Sequence, residues 1–107
     1  MPHYMIQAAY TPEAWAKMVN SPQNRVEGIR PAVEAVGGTL ETGYITFGKY
    51  DIMAIVEWPD NQSAAAFAMS VVAGGALSGY KTTPLLTAEE GMEAMSKASA
   101  TGYKPPA

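Results

Sequence analysis

The chain has 107 residues, 48% of them hydrophobic and 16% charged, with a formal net charge of −3 and no cysteine. That length sets one domain, expected over residues 1–100 with a loose proline-containing tail at 101–107. Scattered Lys and Arg under a net negative charge exclude a nucleic-acid interface. The missing cysteines exclude disulfides and thiolate chemistry, and no apolar run reaches the ~20 residues of a membrane span.

Residues 3–9 read as a first strand, apolar on both faces except for His3 and Gln7. Thr11-Pro12 opens a helix, a hydroxyl cap followed by proline at the first helical position, and Trp15, Met18 and Val19 lie on one side of it. Ser21-Pro22 repeats the signal and predicts a kink or a second helix. Val26, Ile29, Val33 and Val36 then follow at helical spacing to Gly37-Gly38, with Pro31 inside the pattern.

Residues 39–47 form a second predicted strand, and a turn at Gly48-Lys49 leads into a third at 50–58, ended by Pro59-Asp60. Asp60 caps a helix over 61–72 with Ala64, Phe67, Ala68, Val71 and Val72 facing inward. A fourth strand at 77–86 carries Gly79 and Pro84 and so belongs at a sheet edge. Thr87 and Glu90 form a capping box that starts a last helix to about residue 98.

The order β-α-β-β-α-β plus a terminal helix is the ferredoxin-like split βαβ arrangement, an antiparallel sheet with helices on one face. Met53 and Ile55 make the other face apolar, and a second copy of the chain is the economical cover for it. A homo-oligomer, a dimeric α/β barrel, is therefore expected. No basic segment followed by an apolar one marks the N-terminus, so the cytoplasm is the expected location.

Gly48-Lys49-Tyr50-Asp51 resembles the Gly-x-Tyr-Asp motif of the GYD family. The likeness extends to Met1-Pro2-x-Tyr4, Ser21-Pro22 with Arg25 behind it, Gly37-Gly38, Ile55-Val56-Glu57, Pro59-Asp60 and the stretch 87–90. Roughly residues 1–98 are covered. Trp58, where a smaller residue is expected, and the proline-containing tail depart from the pattern. The resemblance implies the dimeric α/β barrel fold and says little about activity, because the family is largely uncharacterised.

Asp51 is one candidate catalytic residue, a general base if apolar neighbours raise its pKa. The plainer alternative is a structural carboxylate paired with Arg25 or Arg30 or bonded to hairpin amides. Glu57 shares its face but lies about 20 Å further along the strand, too far for an acid–base pair. His3, the only histidine, is the other catalytic candidate. It has no His, Asp or Glu at ligand spacing, so no metal site and no cofactor are expected, and a surface or interface role is the simpler one.

Tyr10, Tyr44, Tyr50, Asp51 and Arg25 are the candidate ligand-binding residues, with cross-strand aromatic packing as the alternative for the tyrosines. Two functions from different classes fit. One is an oligomeric module that binds a small apolar or aromatic molecule. The other is a cofactor-independent isomerase or monooxygenase in which Asp51 or His3 takes a proton and a tyrosine or Arg25 steadies the oxyanion. A structural assembly subunit is a third reading, and it predicts no pocket.

Overall fold

Alternation of buried and half-buried residues along His3–Tyr10 (β1) sets the architecture: Tyr4, Ile6 and Ala8 point to one side, His3, Met5 and Gln7 to the other. A computed structural model describes residues 1–107. Next come helices α1 (Pro12–Asn20) and α2 (Arg25–Ala35), strands β2 (Thr39–Ile45) and β3 (Ile52–Glu57), α3 (Asn61–Ala73), β4 (Leu77–Leu85) and α4 (Ala88–Ser99). The four strands form one antiparallel sheet in the order β2-β3-β1-β4. This is the ferredoxin-like α+β fold that the sequence predicts.

Directly opposed residues share a face. Tyr4 opposite Val56 and Ile6 opposite Ala54 lie beneath the helices, while Met5 opposite Ile55 and Gln7 opposite Met53 lie on the open face. The core sits on the helix side. Trp58 is its centre: fully buried, with ring centroids 5.6 Å from Tyr4 and 5.2 Å from Phe67, and its indole N–H donating to the Val33 carbonyl at 3.3 Å. Burying Trp58 and Phe67 contributes roughly 2–3 kcal/mol each. Gly38 makes room for the indole, since a Cβ there would lie 2.4 Å from Trp58 Cδ1. Gly37, at φ 84°, supplies the left-handed residue that ends α2.

Three predicted boundaries shift. The second helix starts not at Ser21 but at Asn24, whose side chain accepts from the Glu27 amide, while the Ser21 amide closes α1 on Lys17. Pro31 stays inside α2. The β2–β3 connection is no tight turn at Gly48-Lys49. The Thr46 amide and hydroxyl bond the carbonyls of Asp51 and Tyr50, so residues 46–51 form a loop, β3 begins at Ile52, and Phe47 is 98% exposed. Val72, expected inward, points to solvent. The edge position of β4 agrees with Pro84 and with a register shift opposite Ala9 and Tyr10.

α4 is well capped, with Thr87 and Glu90 bonding reciprocally, yet it buries none of its residues. The radius of gyration, 17.0 Å, exceeds the ~13 Å of a compact chain this long.

Candidate functional site

Beneath α2 and α3 the sheet leaves a cavity of about 230 Å³. Ile6, Ala8, Ile52 and Ala54 form its floor, and Ile29, Phe67 and Val71 come down from the helices. Of its 14 lining residues 11 are hydrophobic, so the few polar groups decide what it can select. Two of those stand out, Arg25 and Tyr80.

Arg25 is the first residue of α2. Its Nη1 donates to the Gln23 side chain at 3.2 Å, and none of the four ion pairs in the molecule includes it. Gly28, one turn along, has no side chain to displace the guanidinium, which lies 2.6 Å from where a Cβ would stand. The hydroxyl of Tyr80 is buried and makes no hydrogen bond. Burial raises its pKa above the ordinary phenol value, and the Thr82 hydroxyl, close enough to pull the other way but outside hydrogen-bond geometry, offsets part of that. An unsatisfied buried hydroxyl costs about 1–3 kcal/mol, and a ligand acceptor would remove that cost.

Asp51 stands elsewhere. Its Oδ2 accepts from the Tyr10 amide at 2.9 Å and from the Trp15 indole N–H at 3.1 Å, tying the end of β1 to α1 and to the loop before β3. The pairing with Arg25 or Arg30 does not form, because Arg30 is held by Glu27 at 2.8 and 3.0 Å. That pair lowers the pKa of Glu27 and raises that of Arg30 through their hydrogen bond. Asp51 thus accepts from these two donors, neither of them a hairpin amide.

Of the five predicted ligand-binding residues, Tyr10 and Arg25 line the cavity and Asp51, Tyr44 and Tyr50 do not. Tyr10 also packs edge-on against Trp15, ring centroids 5.7 Å apart. Tyr44 is exposed opposite Met53 on the open face, beside a shallow polar groove that Arg25 also borders. Tyr50 lies in the loop, with Lys49 Nζ 5.8 Å from its ring centroid.

His3 lies on the open face, with Nε2 2.7 Å from Glu41 and 2.8 Å from Glu57. Asp51, His3 and Arg25 therefore do not converge on one reaction centre. Tyr80 and Glu41 escaped the sequence reading. The parity of Tyr80 with Thr82 on β4 was the available signal for the first, and nothing local marks the second.

The model of the GYD domain matches residues 4–95. No match was found among curated proteins. Among solved structures the chain is similar to MtbAldR, with TM-score 0.61 and 17% identity over 80% of this chain and 52% of that one, so it spans about half of that relative. It is also similar to TTHA0845 from Thermus thermophilus (TM-score 0.55, 15% identity, 82% and 96% covered). A hypothetical protein from Pyrococcus horikoshii, PHS023, follows (TM-score 0.51, 12% identity, 81% and 92% covered). At these identities the likeness is one of fold.

Proposed function

The chain belongs to the GYD domain family, and from the cavity it carries we propose that it is an oligomeric binding module for a small apolar or aromatic molecule bearing a carboxylate. One observation carries the reading: an apolar cavity is bordered by an arginine with no carboxylate partner and by a buried phenol with no hydrogen bond. The apolar body would fill the space between Ile6, Ala54 and Phe67, while the carboxylate would accept from Arg25 and Tyr80. A purely structural subunit has no use for such a cavity.

Assembly is the second half of the proposal. The chain exposes 7153 Å², against about 5,700 Å² for a compact monomer of its mass. The excess is more than the ~800 Å² that each partner buries in a standard interface. Part of it lies on the open sheet face, where Met5, Met53 and Ile55 are half-buried, and on α4, where Met92 and Met95 are 67% and 72% exposed. A second copy of the chain supplies a matching apolar surface for both. No helix is long and apolar enough to cross a membrane.

Titrating the protein with 3-phenylpropanoate and with its neutral amide, followed by amide NMR and calorimetry, tests the cavity. The carboxylate should bind about tenfold more tightly, the difference between a charge-assisted and a neutral hydrogen bond, and should shift the Phe67 and Tyr80 amides. Equal binding of the two, or no shift at millimolar ligand, would overturn the reading. A monomer in sedimentation at micromolar concentration would overturn the assembly half.

A further inference from the structure

We propose that His3, Glu41 and Glu57 form a binding site for a first-row divalent cation on the open face of the sheet. The three residues come from three adjacent strands. His3 on β1 is the direct cross-strand partner of Glu57 on β3, so both side chains rise from the same face at the same level. Glu57 is in turn opposite Thr39 on β2, and the register shift between Leu40 and Thr42 leaves Glu41 without a cross-strand partner. Its side chain reaches across β3 to His3 on β1.

The donor atoms already have the spacing of an ion's coordination shell. Nε2 stands 2.7 Å from Glu41 Oε1 and 2.8 Å from Glu57 Oε1, and one ligand atom from each residue lies within 4.8 Å of the others. In a six-coordinate site with bonds of about 2.1 Å, neighbouring donors are about 3.0 Å apart. The two distances from His3 need to lengthen by only a few tenths of an ångström to match that spacing. The remaining positions would point away from the sheet, toward water or the second copy proposed to cover this face; in the single chain these side chains are 33%, 36% and 31% exposed.

Charge and donor type agree with the spacing. Neutral imidazole with two carboxylates carries −2, which a divalent ion cancels. One nitrogen and two oxygens suit zinc, cobalt, manganese or iron, whereas calcium takes six to eight oxygens. Without an ion, the one hydrogen that Nε2 can carry faces two acceptors, and the two carboxylates face each other. Glu90 and the Met1 amine complete the charge neighbourhood, since His3 and that amine both help to lower the Glu90 pKa.

The test uses tag-free full-length protein, cobalt(II) followed by visible absorption and zinc followed by calorimetry. One ion per chain is expected, with the His3 Nε2 resonance moving on zinc addition. Glu41→Gln and Glu57→Gln should each weaken binding at least tenfold at unchanged circular dichroism, while Glu13→Gln, on α1, should leave it unchanged. No cobalt spectrum at millimolar metal, or affinity unaltered by Glu41→Gln, would overturn the site and leave a histidine paired with two carboxylates.

Discussion

Replacing Asp51 with alanine removes the one acceptor shared by the Tyr10 amide and the Trp15 indole. Each donor left without a partner costs about 1–3 kcal/mol when buried. Both sites are half-buried, so water restores part of the loss, and about 2–3 kcal/mol is expected for the pair. Asparagine keeps a carbonyl oxygen in place and forfeits only the charge, about 1 kcal/mol. For a domain of this size the alanine change lowers the melting temperature by about 10 °C or more. Urea melts at fixed protein concentration give both values, and Trp15 fluorescence reports the freed indole directly. A Tyr10 amide shift in the alanine variant locates the loss at the end of β1. If alanine costs less than about 0.5 kcal/mol while ligand binding or any turnover disappears, Asp51 belongs to the chemistry and the anchoring argument fails.

Gly38→Ala should cost about 3 kcal/mol or more, at the top of or beyond the ~1–3 kcal/mol of ordinary overpacking, since its Cβ would lie 2.4 Å from two indole atoms of Trp58 and 2.9 Å from the Glu57 carbonyl. Gly28→Ala meets only the movable Arg25 guanidinium and should be neutral or stabilising by up to about 1 kcal/mol; of the two variants only Gly38→Ala should melt at a lower temperature. Tyr80→Phe removes an unsatisfied hydroxyl, so it should leave the free protein as stable or more stable by about 1 kcal/mol while weakening phenylpropanoate severalfold; a destabilised variant would mean that the hydroxyl has a partner in the free protein. Glu90 has a lowered pKa because it accepts from Thr87. Its contribution to the α4 cap is thus complete above 4.5 and is lost as pH falls through the lowered value. An NMR titration of the Thr87 amide should give a midpoint below 4.5, and one at or above it refutes the capping argument.

Local chemistry made the caps legible: Thr11-Pro12, Asp60 and Thr87 each announce a helix by a side-chain acceptor that the structure uses. Ser21-Pro22 misled because Asn24, three residues on, offers an equally good acceptor and wins the α2 terminus. Tyr50 and Asp51 looked like strand residues because their neighbours are apolar. In the fold the Asp51 backbone still bonds both neighbours, its amide donating to the Ala8 carbonyl and its carbonyl accepting from the Thr46 amide, while its side chain is taken by donors on Tyr10 and Trp15 that lie 41 and 36 residues away in sequence. Long-range partners of this kind carry no local signal. The same holds for His3 with Glu41 and Glu57, a cluster made by strand order and one register shift. Tyr80 was readable in principle, since its parity on β4 places it toward the helices, but a lone tyrosine on an edge strand gives no reason to prefer a ligand to a packed neighbour.

The cavity and the cation corner should act independently, and the reason lies in β1. Tyr10 at its C-terminal end borders the cavity on the helix face, and His3 at its N-terminal end stands on the open face. Ile6 and Ala54 on the cavity floor lie three residues, about 10 Å of strand, from His3 and Glu57, but they point to the opposite face, and no side chain serves both. Coupling between sites needs an element with two arrangements whose balance both ligands bias. β1 is the wrong kind of element for that, paired along its length with β3 on one side and β4 on the other, so sliding it would break two ladders at once. Zinc affinity measured with and without saturating phenylpropanoate should therefore agree within about 0.5 kcal/mol, the limit for additive sites. A larger difference would mean that assembly joins the two faces, one copy's open sheet face carrying the signal to its partner's cavity, and it should then vanish on dilution to the monomer.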